Sequence, residues 1–225
     1  MQGSQKIAAL GAFFTAVMFV LDIVYYAVIL PGAGYNPQGI NLDPSKLATS
    51  AGVGAFQIGG ILSILFALAL TFLSVGLDAR LRDGSPALLE IGHFAAIASI
   101  TLFLLVGMEV FLAPPIVTAI DAQNQAAGTA AFQTITLLFN GMDLAAIFAF
   151  GALILLASWA ALRAKVLPSI LNYLGLLVGG TLILAFLIPA SALLAPFVAI
   201  VWSAWLGIAL WREPAPRVAP SMSGT

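Results

Sequence analysis

Runs of apolar residues long enough to cross a lipid bilayer recur along this sequence and constrain its fold more than any other feature. About 20 apolar residues span the hydrocarbon core, and hydrophobic residues make up 62% of the chain against 8% for charged residues. A water-soluble fold would therefore expose far too much apolar surface. In a bilayer, lipid solvates these side chains while helices satisfy their own backbone hydrogen bonds. The sequence predicts an all-α, polytopic membrane helical bundle.

We predict a single domain over residues 1–212 with six transmembrane helices. The first apolar run is longer than the core of a signal peptide, so we interpret it as a retained anchor. The segments 31–49 and 113–130 are the longer loops, and Pro189 marks the last turn because proline favours a break. Residues 213–225 are small or proline-rich and predict a disordered cytoplasmic tail. The helices are placed near 7–30, 50–76, 86–112, 131–162, 168–189 and 192–211.

The basic residues predict how the bundle is oriented. With six helices, every lysine and arginine except Lys46 falls on one side of the membrane. Short cytoplasmic loops are enriched in such residues, so that side should be cytoplasmic. An odd number of helices would destroy the asymmetry. We therefore predict a protein of the inner (plasma) membrane with both termini in the cytoplasm, an N-in/C-in topology.

Composition excludes several partners and cofactors. A net charge of −1 argues against a nucleic-acid partner, whose phosphates need clustered lysine and arginine. Without cysteine the chain can form no disulfide, thiolate metal site or Fe–S cluster. The single histidine, His93, also excludes a bis-histidine haem held by this chain alone. We predict no cofactor and a lipid bilayer as the surrounding partner, and the sequence leaves metal binding open.

Polar and ionisable side chains within the predicted spans are candidates for function, because each costs about 2.5–3.5 kcal/mol on insertion. On the first and fourth helices they recur at helical spacing, so each helix has a polar face. We expect these faces to look at each other or at a cavity. The first face carries Asp22, Tyr25 and Tyr26, and the fourth carries Gln133, Thr136, Asn140 and Asp143.

These faces predict an acidic, hydrogen-bonding cluster that is reachable from outside. No lysine or arginine lies at that depth, so the carboxylates must be protonated, hydrated or neutralised by a bound cation. The other interpretation is that the same side chains hydrogen-bond the helices together and bind nothing. The candidate ligand-, cation- or proton-binding residues are Asp22, Asp143, Glu109, Asn140, Gln57, Tyr25 and Tyr26.

Two further pairs carry less specific signals. Glu90 and His93 lie one helical turn apart near the cytoplasmic surface, which suits a proton relay, although a solvated pair at a helix start is the simpler interpretation. Gly175 and Gly179 form a GxxxG spacing that allows close helix approach. We favour packing inside the bundle over a homo- or hetero-oligomer through such small-residue faces.

Features of the C-terminal half carry a resemblance to a known family that extends across most of the chain. The features that carry the likeness are the connector 162–168 (LRAKVLP), the segment 173–176 (YLGL), Trp202, Gly207 and the closing segment 210–212 (LWR). In these features the chain resembles an uncharacterised bacterial family of six-helix integral membrane proteins, known as a domain of unknown function. The resemblance implies six helices and a cytoplasmic C-terminus. Its motifs are topological and imply no activity.

Three functions remain open at this level. The leading hypothesis is small-molecule or cation/proton-linked binding or transport through the acidic cluster, with Asp22 and Asp143 as protonatable or coordinating groups. The alternative is a non-catalytic accessory, sensory or assembly subunit of the membrane. A membrane enzyme comes third, because Gly141-Met142-Asp143 departs at Met142 from the aspartyl-protease signature and no other catalytic motif is present.

Overall fold

Six long helices make up the part of the chain that the structure describes, a computed structural model covering residues 2–34, 49–81, 86–185, 187–188 and 194–212. No strand occurs among these residues, which confirms the all-α prediction. Helix α1 comprises the α-helix Gln2–Val24, the π-helical turn Tyr25–Ile29 and the short α-helix Leu30–Gly32. The others are α2 (Ser50–Leu81), α3 (Pro86–Asp121), α4 (Gln125–Ala164), α5 (Ser169–Ala185) and α6 (Ala195–Arg212).

Five of the helices are long and apolar enough to cross a membrane, judged by length and composition. They are α1, α2, α3, α4 and α6. Helix α5 is equally apolar but has 17 residues, which at 1.5 Å per residue gives a length of roughly 25 Å. That is slightly short of the ~30 Å hydrocarbon core. The chain is therefore suited to a membrane, and the sixth crossing stays a prediction.

The connection between α3 and α4 is much shorter than the sequence indicated. Helix α3 continues to Asp121 and α4 begins at Gln125, so most of the predicted loop 113–130 is helical. Falling hydropathy marks where a chain leaves the lipid, whereas a helix ends only where its backbone bonds end. Pro114 and Pro115 lie inside α3. At the start of α4, the Asn124 side chain caps the helix by accepting a hydrogen bond from a backbone N–H (3.2 Å).

Several predicted features lie outside the described residues. They are the loop around Lys46, the turn at Pro189 and the tail 213–225. Two of the basic residues used to predict the orientation, Arg82 and Arg217, also lie outside them. These predictions are neither supported nor opposed by the structure.

The helices follow one another around a ring. Each packs against the helix before and after it in sequence, and α6 returns to pack against α1. The Gln5 side-chain amide donates a hydrogen bond to the carbonyl oxygen of Leu210 (2.7 Å), which joins α1 to α6. The Arg80 guanidinium donates to the carbonyl oxygen of Val166 (3.2 Å), which joins α2 to the α4–α5 connection.

The two ends of the ring differ in charge. Every lysine and arginine among the described residues lies at the end where α1 begins and α6 finishes, which we call the basic end. The other end, where α3 passes to α4, we call the Asp121 end. The residues of the basic end are Lys6, Arg80, Arg163, Lys165 and Arg212.

Glycines set the closest contacts between helices. A Cβ on Gly107 of α3 would stand 2.7 Å from the carbonyl oxygen of Gly60 on α2. A Cβ on Gly179 of α5 would stand 2.7 Å from the carbonyl oxygen of Gly151 on α4. Gly175 also faces α4. The predicted GxxxG pair thus packs inside the bundle, as the favoured interpretation expected.

Four phenylalanines from α1, α2, α3 and α4 meet in the middle of the bundle, and we call them the Phe cluster. The Phe66 ring lies 5.1 Å from that of Phe19 and 4.8 Å from that of Phe103. The Phe150 ring lies 5.6 Å from Phe66 and 6.0 Å from Phe19. All four side chains are buried. Two of these pairs are edge to face and two are tilted. Both arrangements pack favourably at these distances, so the cluster joins the facing sides of α1 and α4.

Candidate functional site

A polar layer separates the Phe cluster from a second apolar cluster nearer the Asp121 end. Along α1 the layer lies between Phe19 and Tyr25 and contains Asp22. Along α4 it contains Asp143. Apolar clusters on either side make this layer the distinctive feature of the interior. The buried members of the second cluster are Tyr25, Leu30, Val117 and Phe132.

Asp22 and Asp143 come together above the Phe cluster. Asp22 lies one turn beyond Phe19 on α1, and Asp143 lies two turns before Phe150 on α4, so each acid shares a helix face with its phenylalanine. Because those two rings lie 6.0 Å apart, the acids also approach each other. Asp143 is close enough for its charge to act on Asp22. Both side chains are partly exposed.

Two tyrosines adjoin the acidic pair. The rings of Tyr25 and Tyr26 meet edge to face with 5.2 Å between centroids. The Tyr25 hydroxyl oxygen packs against Gly59 of α2, where a Cβ would stand 2.5 Å from it. Tyr26 is 37% exposed and lies within electrostatic range of both aspartates. Both tyrosines belong to the π-helical turn Tyr25–Ile29, whose extra residue re-aims side chains; such turns recur at functional sites.

Asn140 and Gln57 differ in their relation to the pair. Asn140 lies one turn before Asp143 on α4 and is exposed, so it can reach a group bound by the aspartates. Gln57 shares a face of α2 with Ile64. The Ile64 side chain packs against Gly107 of α3, so Gln57 lies on the face of α2 that is turned towards α3.

Glu109 also stands apart from the aspartates. Its side chain is half-buried on α3, and its Oε2 accepts no hydrogen bond from any described residue. It is not among the charges that act on Asp22 or Asp143. The structure therefore brings together Asp22, Asp143, Tyr25 and Tyr26, and Glu109 is not part of this group.

No described lysine or arginine accompanies the acidic pair, because all of these residues lie at the basic end. The described residues also contain no group of three or more His, Asp or Glu side chains that could hold a metal ion. Two carboxyl groups in a membrane interior need a proton, a cation or water to offset their desolvation. The layer can therefore hold protons or a singly charged cation without any further protein charge.

His93 contacts an acid on the neighbouring helix, and Glu90 is exposed near it. The His93 Nδ1 lies 3.5 Å from an Asp78 carboxylate oxygen on α2, and Glu90 is exposed. Asp78 and His93 line a small pocket at the basic end together with Ser74. The sequence analysis missed Asp78 because it ended the second helix at residue 76. The sequence did contain a signal for this contact. Because the connection between α2 and α3 is short, Asp78 near the end of α2 must lie close to the first turns of α3.

Comparison with known proteins adds no relative. No family model matches the chain, and no characterised protein or solved structure is significantly similar to it. The class is therefore defined by the chain's own features, as an α-helical bundle with membrane-length helices and a paired acidic layer in its interior. Membership of the six-helix family that the sequence resembles stays a prediction.

Proposed function

We propose that the chain is a six-span inner-membrane protein that binds a proton or a singly charged cation at Asp22 and Asp143 and carries it across the bilayer. The observation that supports this most is the meeting of the two aspartates between two apolar clusters, with no described lysine or arginine beside them. Each acid within a membrane span costs about 2.5–3.5 kcal/mol on insertion. A bound proton or cation offsets that cost in a way that helix packing does not.

The basic end supports an N-in/C-in orientation. Trp159 and Trp211 are exposed there, and the Arg163 guanidinium lies 5.3 Å from the centre of the Trp159 ring. Tryptophan is enriched at membrane interfaces, and arginine and lysine are enriched in cytoplasmic loops. In this orientation the basic end faces the cytoplasm and the acidic layer lies in the outer half of the membrane. The short helix α5 crosses with modest thinning of the bilayer around it.

The chemistry of the layer favours a proton or a singly charged cation over a divalent metal. Two carboxyl groups and a tyrosine hydroxyl are too few to replace the six or more oxygen ligands that Ca²⁺ requires. The exposed Tyr26 and the buried Tyr25 offer ring faces that attract an organic ammonium group. The partial exposure of both aspartates gives a ligand access to the pair.

Flux measurements in proteoliposomes test this function. A pH-sensitive dye inside the proteoliposomes reports proton movement. Sodium and tetramethylammonium gradients serve as the cation probes. Asp22→Asn and Asp143→Asn should each reduce the flux driven by one of these gradients by at least about tenfold, because each removes a charge-carrying group. The double variant should lose little more, since the two carboxyl groups act as a unit.

Glu90→Gln is the matched control for these variants. It also replaces an acid by its amide within the bundle, but Glu90 is exposed and lies outside the layer, so flux should be unchanged. If both aspartate variants retain full flux with all three probes, the proposal is wrong. A lower melting temperature in those variants without any change in flux would instead favour a role in packing or assembly.

A further inference from the structure

A second polar site lies towards the basic end, where α4, α5 and α6 meet, and it is separate from the acidic layer. A small cavity is lined there by apolar side chains and by three buried polar ones. Ser158 on α4, Asn172 on α5 and Trp202 on α6 are only 4%, 2% and 3% exposed. Each of the three helices therefore contributes one polar group to the same cavity.

The hydrogen bonds of these groups are incomplete. The Asn172 Nδ2 donates a hydrogen bond to the carbonyl oxygen of Leu167 (3.2 Å). The Asn172 Oδ1 takes no part in this bond. Within the described part of the chain, no protein atom hydrogen-bonds to the Ser158 hydroxyl or to the Trp202 indole N–H. Buried polar groups, including the tryptophan N–H, almost always find a partner. The cavity thus collects a donor, an acceptor and a hydroxyl group that can act as either.

The polar atoms converge closely. Ser158 Oγ and Trp202 Nε1 both lie within 2.6 Å of the point where a Cβ on Gly175 would stand. Gly175 has no side chain, so the backbone of α5 packs directly against these two atoms. The two atoms therefore lie beside each other, close enough for one water molecule to contact both.

We propose that this cavity binds a water molecule that bridges α4, α5 and α6. The water accepts a hydrogen bond from Trp202 Nε1, donates one to Asn172 Oδ1 and shares another with the Ser158 hydroxyl. Three partners match the typical number for a buried water. The cavity has about 10 Å³ of free space, roughly enough for one water molecule and far below the ~300–1,000 Å³ of ordinary small-molecule pockets, which argues against a larger ligand. This site does not depend on the proposed transport function.

Nuclear magnetic resonance of the intact protein in nanodiscs tests the proposal. With ¹⁵N-labelled tryptophan, Trp202→Phe identifies the Trp202 indole signal. That N–H should show a cross-relaxation peak to water with the sign of a long-lived contact. The exposed Trp211 is the internal control, and any contact it makes with water should be short-lived. Absence of a long-lived water contact at Trp202 in the folded protein would overturn the proposal.

Two substitutions provide a second, independent arm. Ser158→Ala and Asn172→Ala each remove one polar partner without adding bulk, and their combination should abolish the water peak of Trp202. Unchanged signals of the other tryptophans establish that the double variant is folded. A water peak that persists at full intensity in the folded double variant would show that these side chains do not hold the water.

Discussion

Ser99 and Ser203 are both fully buried but differ in what their hydroxyl groups contact. Ser99 on α3 donates to the carbonyl oxygen of Ala146 on α4 (3.1 Å). The Ser203 hydroxyl on α6 has no hydrogen-bond partner among the described residues. A buried hydroxyl without a partner retains its full desolvation cost, whereas a bonded one recovers it. The two serines should therefore contribute to stability with opposite sign.

Alanine substitution should reveal that difference. Ser99→Ala should lower the free energy of unfolding by roughly 0.5–1 kcal/mol, since it removes one interhelical hydrogen bond. Ser203→Ala should leave it unchanged or raise it by up to about 1 kcal/mol, because it removes an unpaired polar group. Reversible unfolding of both variants in the same detergent measures the contrast. Equal destabilisation by both substitutions would contradict the prediction.

The sequence identified individual side chains better than it identified their partners. Asp22, Asp143, Tyr25 and Tyr26 stand out in the sequence because membrane helices rarely carry such groups, and the structure brings them together. Helical spacing alone could not show that Gln57 is turned towards α3 or that His93 reaches Asp78. Those outcomes depend on how two helices pair, and a pattern along one helix does not contain that information.

Two neighbouring glycines of α5 test how helix approach limits side-chain size. A Cβ on Gly179 would stand 2.7 Å from the carbonyl oxygen of Gly151 and 2.8 Å from Leu155. A Cβ on Gly180 would meet nothing within 4 Å. Gly179→Ala should therefore lower the free energy of unfolding by about 1–3 kcal/mol through overpacking. Unfolding in detergent measures the loss.

Gly180→Ala is the matched control in the same helix. It should raise stability by roughly 0.5–1 kcal/mol or less, because alanine loses less backbone freedom than glycine in a helix interior. The opposite ranking of the two variants would show that α4 and α5 do not meet at Gly179.

At the level of whole helices, the number and approximate positions of the apolar segments follow from the sequence, but their ends do not. The predicted loop 113–130 is largely helical because proline and polar residues end a hydrophobic run without ending a helix. The π-helical turn Tyr25–Ile29 carries no composition signal. It results from how α1 fits its neighbours, which no local pattern encodes.

Across the whole molecule, the Phe cluster separates two polar regions. The acidic layer lies on its Asp121 side, and the pocket lined by Asp78 and His93 lies on its basic side. If the proposed transport is correct, Phe66 is the central barrier, because its ring touches those of three other helices. Phe66→Ala should then raise the passive proton leak of proteoliposomes by about tenfold or more, as a water-accessible gap replaces the ring.

Phe132→Ala provides the comparison, since Phe132 is equally buried but belongs to the second apolar cluster. Both substitutions should destabilise the protein by about 3–5 kcal/mol, so stability alone does not distinguish them. Leak should increase only in Phe66→Ala. Equal leak in the two variants would indicate general loosening of the bundle and no barrier at Phe66.

Closure of the ring between α6 and α1 has a consequence for biosynthesis. The face of α1 that carries Gln5 and Phe13 packs against Leu210 and Gly207 of α6, yet α1 leaves the ribosome first among the six helices and α6 last. In the proposed membrane orientation, the Leu210 carbonyl that accepts from the Gln5 amide is missing until α6 inserts. This face of α1 is therefore completed only by the last helix of the bundle.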